Sequence, residues 1–136
     1  QMAPAIVSIW DLRRRDADYP FLRKMLSQWR QVADYYYGDF YPLTSYRIEN
    51  DVWMAWQFNR PELGEGMVQA FRRPQSPAVA MRFSLRGLDD EARYSVTNFD
   101  TPTPEVLTGA ELQNGLLVTL TQPRDAALIV YKRIQK

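Results

Sequence analysis

The 136-residue chain is 46% hydrophobic and 24% charged, with a net charge of +1, which argues against disordered, collagenous and membrane-spanning classes and predicts one globular core. Cysteine and histidine are both absent; this excludes Ser-His and Cys-His nucleophile pairs, Cys/His zinc sites, disulfides and a histidine pH switch. Seventeen basic against sixteen acidic side chains, with Arg13 to Arg15 the only basic run of three, leave no footprint for nucleic acid.

Gln1 precedes Met2, so the chain reads as a fragment or a processed product. The apolar stretch Ala5 to Trp10 is too short for a membrane span and lacks the basic flank of a signal peptide, so no cellular address is legible there. Trp10-Asp11-Leu12 and the arginine run read as a loop or short helical turn. From Pro20 to Tyr37 the apolar residues Phe21/Leu22, Met25/Leu26, Trp29, Val32/Ala33 and Tyr36 recur at steps of three and four. That period predicts an amphipathic helix over about 20–37, opened by Asp18 and Pro20 and closed by Gly38 as a left-handed stop.

After Pro42 the period falls to two. Val52, Met54, Trp56 and Phe58 share one predicted strand face, Met67, Gln69 and Phe71 another, and Val79, Met81, Phe83 and Leu85 a third. Tyr94 to Thr97, Leu116 to Leu120 and the more continuously apolar Leu128 to Tyr131 follow. Turn signals separate them, among them Asn59-Arg60-Pro61, Gly64 to Gly66, Gly87 to Asp90, Pro102 to Pro104 and Asn114-Gly115. Seven or eight strands at this spacing predict a mainly β protein, an antiparallel β-sandwich preceded by one amphipathic helix. The predicted division is a segment 1–40 carrying the helix and a sandwich domain 41–136.

Paired carboxylates are the one catalytic device this composition leaves, which directs attention to Asp89-Asp90-Glu91 and Asp100. Their place between Gly87-Leu88 and a strand fits a solvated turn better than a catalytic pair. The run Tyr35-Tyr36-Tyr37-Gly38-Asp39-Phe40-Tyr41 reads as core packing at a helix-to-sheet junction before it reads as a sugar platform. The strand phase above leaves Trp53 outward, opposite Trp56; an outward Trp marks a ligand site or a surface covered by another domain. Gly64-Glu65-Gly66 lies between strands with no helix following, which is the wrong setting for a phosphate loop.

The stretch Tyr35 to Thr44 (YYYGDFYPLT), the stretch Trp53 to Arg73 (WMAWQFNRPELGEGMVQAFRR), Gly87-Leu88-Asp89 with Arg93-Tyr94, and Thr108 to Leu112 (TGAEL) together resemble the C-terminal end of α-galactosidases of glycoside hydrolase family 36. The resemblance covers nearly the whole chain. It implies a parent with a (β/α)8 barrel that hydrolyses α-galactosides with retention, through an aspartate nucleophile and an aspartate acid/base, followed by a C-terminal β-sandwich. It places those aspartates upstream, so it assigns no catalytic residue here, and it implies no cofactor or metal. The helix would be the last of the barrel, and the barrel itself the principal partner. Tyr46 and Trp53 are the candidate sugar or interdomain contacts; a carbohydrate ligand and a second copy of the chain are the remaining partner classes, and neither nucleic acid nor membrane is expected.

Overall fold

The computed structural model describes residues 4–5 and 13–135; the apolar residues Ile6, Val7, Ile9 and Trp10 and the expected turn at Trp10 to Leu12 lie outside them. Helix α1 runs over Tyr19–Val32, opened by the Asp18 carboxylate, which accepts the Phe21 amide at 2.9 Å, with Pro20 in its first turn. It ends earlier than the sequence predicts and tightens into a 3-10 turn at Ala33–Tyr37. Gly38 is extended at φ −79° and not a left-handed stop. Its small size matters instead, because a Cβ there would lie 2.5 Å from the Asn59 carbonyl oxygen.

Eight strands follow: β1 (Asp39–Pro42), β2 (Trp53–Arg60), β3 (Glu65–Arg72), β4 (Ala80–Phe83), β5 (Arg93–Asn98), β6 (Thr101–Thr108), β7 (Leu116–Thr119) and β8 (Ala126–Arg133). A short helix, α2 (Gly109–Gly115), sits between β6 and β7. Six strands form one antiparallel sheet in the order β1-β2-β3-β8-β5-β6, and β4 pairs with β7 in a second. Between the sheets lies the main core, with Trp53, Val68, Phe83, Tyr94, Ile129 and Tyr131 among its members. On the other face of the large sheet a smaller cluster joins Val32 and Tyr35 to Met67, with Phe58 and Val130 packed against it.

That second cover corrects the expected phase of β2. The residues facing the main core are Trp53 and Ala55, with Gln57 and Asn59 following on the same face, all buried. Met54, Trp56 and Phe58 lie on the helix side, where Phe58 meets the rings of Tyr36 at 5.0 Å and Phe40 at 5.3 Å. A strand covered on both faces carries apolar residues on both, so alternation alone cannot choose the inner one. The same double cover explains the continuously apolar β8. In β4 and the residues after it the predicted phase holds, with Phe83 and Leu85 in the core, although Val79 is 49% exposed.

Three elements escaped the sequence reading. β1 lies within the aromatic run. β6 contains the prolines read as a turn, which an edge strand tolerates. Helix α2 carries a capping box, with the Thr108 hydroxyl on the Glu111 amide and the Glu111 carboxylate on the Thr108 amide. The other edge shows how proline fits there. The Leu43 amide bonds the Ala55 carbonyl, so the two-residue alternation turns the nitrogen of Pro42 outward, where no ladder bond is lost.

Candidate functional site

The acidic residues singled out in the sequence are held apart by different partners. Asp89 pairs with Arg133 at 2.9 Å and accepts the Glu91 amide at 3.2 Å, while the Asp90 carboxylate accepts from the Gln113 side chain. The main-chain oxygens of Asp89 and Asp90 accept the amides of Ala92 and Ala110, so the run is a turn that grips the start of α2. Asp100 belongs to a different place, the rim of the groove described below. Among the described residues no cluster of three or more acidic side chains is arranged to hold a metal. Gly64 turns the β2–β3 hairpin at φ +62° and Glu65-Gly66 begin β3, which is not a phosphate cradle.

The aromatic candidates divide by burial. Trp53 is 3% exposed; its indole N–H donates to the Ala78 carbonyl at 3.0 Å and its ring lies 6.0 Å from Phe83. The outward reading of Trp53 is therefore corrected: it is a core residue. Tyr46, by contrast, is 92% exposed on the segment joining β1 and β2. Tyr35 is buried beside Glu65, which its hydroxyl reaches at 3.5 Å; burial first, and then the Glu65 charge, raise its pKa, against the opposing pull of Lys132. Glu65 also binds Arg60 at 3.3 Å and Lys132 at 3.2 Å, tying the 3-10 turn to the β2–β3–β8 surface.

The polar residues of the WMAWQFN and AFRR stretches form two networks inside the domain. Gln57 donates from Nε2 to the Arg86 carbonyl at 2.8 Å and accepts the Arg86 amide at 2.9 Å, while Nε2 also donates to the Tyr131 hydroxyl at 2.7 Å. That hydroxyl donates to Asn59 at 2.8 Å, and Asn59 donates to the Gly87 carbonyl at 3.1 Å. Arg72 is buried, and its guanidinium donates to main-chain carbonyls, those of Ser76 at 2.9 Å, Leu120 at 3.0 Å and Thr121 at 2.7 Å. Among the described residues no buried side-chain nitrogen or oxygen lacks a hydrogen-bond partner. Gln57 and Arg72 carry no individual role in the sequence analysis, and Asn59, expected there as a turn residue, lies buried inside β2. Their signal was a polar side chain recurring inside an otherwise apolar strand.

A concave feature lies on the helix side of the large sheet. α1 is anchored through its C-terminal end, where Val32 is its one buried residue. Along the rest of the helix, Leu22, Met25 and Trp29 line a cleft of about 830 Å³, and the outer sheet face contributes Phe71, Ala126 and Leu128.

The model of the glycosyl hydrolase family 36 C-terminal domain matches residues 53–130. Among solved structures, the α-galactosidase AgaA of Geobacillus stearothermophilus superposes with a TM-score of 0.71 at 21% identity over 90% of this chain. The α-galactosidase of Lactobacillus brevis gives 0.65 at 20% over 90%, and the galactosidase domain of the α-galactosidase-sucrose kinase AgaSK gives 0.59 at 17% over 82%. These likenesses establish the fold. The chain spans only 17%, 18% and 15% of those three chains, respectively. No curated protein matches it.

Proposed function

The chain belongs to the family of glycosyl hydrolase family 36 C-terminal domains, and on that premise we propose that it is the non-catalytic end of an α-galactosidase-like hydrolase, residues 1–40 delivering the helix and 41–136 forming the sandwich domain. In this reading the parent cleaves terminal α-galactosides with retention on a (β/α)8 barrel, one aspartate acting as nucleophile and another as acid/base. The chain contributes stiffness to the barrel or to an oligomer interface. α1 would be the last barrel helix, and barrel helices run antiparallel to the strands. It would therefore end toward the N-terminal face, away from the C-terminal face where barrel active sites lie.

The observation that carries this reading is the direction of the buried polar groups. Gln57, Asn59 and Arg72 bond to loops and strands of their own domain, whereas a ligand site keeps a few convergent polar groups facing a concavity. Turnover of an aryl α-galactoside by the chain alone tests the chemistry: none above buffer is expected, and activity abolished by Asp89→Asn, Asp90→Asn or Asp100→Asn overturns the reading. Deleting the chain from the parent tests the bracing. A lower thermal midpoint or a lost oligomer is expected, and the absence of both overturns it.

The exposure of Tyr46 favours one competitor, a module with its own sugar site. Saturable binding of galactose or raffinose to the chain, lost in Tyr46→Ala, would establish that competitor.

A further inference from the structure

We propose that Asn114-Gly115, where α2 hands the chain to β7, is a site of spontaneous deamidation and isoaspartate formation, a slow covalent modification that loosens the start of the small sheet. The backbone itself fixes the labile pair. Gly115 stands at φ +145°, a conformation that residues with side chains rarely adopt, and a Cβ there would press on the Arg82 side chain at 3.3 Å. Glycine is therefore required after Asn114, and glycine is the neighbour that leaves the following amide nitrogen least screened. The other asparagines are less open to this attack. Asn59 is 1% exposed and bonded to Gly87 and Tyr131, and Asn98 accepts the Asp100 amide at 3.0 Å. Asn50 is exposed like Asn114, but Asp51 follows it and its side chain crowds the nitrogen.

Asn114 is exposed and helps to line a cleft of about 310 Å³, with Arg82, Glu105 and Glu111 around it, so water reaches the reacting carbon. Helix α2 spans only Gly109–Gly115 and the chain is extended again at Leu116. About two helical turns grip their last residues weakly, which leaves Asn114 the rotation the attack needs. Hydroxide takes the proton of the Gly115 amide, whose nitrogen bonds to Cγ of Asn114; the bond from Cγ to Nδ2 breaks, and Nδ2 leaves with an added proton as ammonia. Water then opens the succinimide ring. Cleavage of the bond to Cγ gives aspartate, and cleavage of the bond to the main-chain carbonyl carbon gives isoaspartate, with the chain now running through the side chain. Either product sets a new carboxylate beside Glu105 and Glu111. Isoaspartate also lengthens the main chain by a methylene just ahead of Leu116, which is buried and paired with Phe83.

The test ages the folded chain in mildly alkaline buffer and follows each asparagine by peptide mapping, reading the mass gain of the amide-to-acid change and the isoaspartate by its enzymatic methylation. Asn114 is expected to convert about tenfold faster than Asn50, because glycine follows one and a residue with a side chain follows the other. Methylation is expected to vanish in Asn114→Gln, whose longer side chain closes the ring poorly. Equal rates at Asn114 and Asn50 overturn the proposal. So does an Asn114 that persists in the folded chain while a synthetic peptide of residues 110–118 loses its amide quickly, which would mean that α2 holds the backbone too firmly. The consequence is read separately, from the thermal midpoint of the isoaspartyl fraction after chromatographic separation. It is expected to fall by several degrees, whereas Asn114→Asp, which carries the charge without the added methylene, is expected to stay close to the unmodified chain. An isoaspartyl fraction as stable as the unmodified chain overturns the claim that the modification loosens the small sheet.

Discussion

Tyr131 on β8 donates its hydroxyl to Asn59 on β2 across the whole width of β3, at 2.8 Å. The register makes this reach direct, because Tyr131 is paired with Gly66 and Gly66 with Asn59. The absent side chain of Gly66 is the passage: a Cβ there would overlap the Tyr131 hydroxyl. Three residues more than seventy positions apart in sequence at their ends thus form one row, and Asn59 in that row holds the Gly87 carbonyl while Gln57, bonded to the same tyrosine hydroxyl, holds Arg86.

Gly66→Ala is expected to lower stability by about 1–3 kcal/mol, the usual range for overpacking, with a further loss if Tyr131 is displaced from Asn59. Urea denaturation measures it. A variant as stable as the parent chain would mean that the tyrosine has room to move.

Burial is the main cause that pushes the Tyr131 hydroxyl well above the ordinary phenol range, and the hydrogen bond from Gln57 opposes it. The unfolded phenol ionises near pH 10, whereas the folded one remains protonated beyond it. The folded state therefore binds more protons above pH 10, and its stability falls as pH rises there. Tyr131→Phe is expected to flatten this alkaline slope. At neutral pH it should cost about 1–3 kcal/mol for the buried amides of Gln57 and Asn59 left short of a partner. Denaturation midpoints from pH 7 to 11 check both parts.

Arg72→Ala removes a buried cation bonded to three main-chain carbonyls. Each charge-assisted bond is worth about 1.5–3 kcal/mol, so the loss should be among the largest for any single substitution. Arg72→Lys is expected to recover only part of it, since an ammonium does not reproduce the planar fork. Thermal midpoints of the two variants, measured side by side, rank them.

Phe83→Ala is expected to cost about 3–5 kcal/mol as a buried aromatic truncation, while Val79→Ala, four residues earlier on the same predicted face, should change stability by less than about 0.5 kcal/mol because Val79 is 49% exposed. Similar losses at the two positions would place Val79 in the core as well.

The helix, its Asp18 cap, most of the strands and the mainly β class were legible because each rests on local rules: a hydrophobic period, a capping oxygen, a turn residue. Absent histidine and cysteine likewise removed whole chemistries without any knowledge of the fold. The local signals failed where two rules competed. Pro102 and Pro104 look like turn residues until β6 is known to be an edge, and Thr108 to Glu111 spells a capping box that its position between strands obscured. The inner face of β2 was decided only by tertiary structure. Both faces are covered, so period two offers two equivalent solutions, and the core took the one with Trp53, Gln57 and Asn59 because Arg86, Gly87 and Tyr131 come from distant parts of the chain to satisfy the amides. Which apolar residues are buried depends on what packs across from them, and that partner is not written in the strand itself.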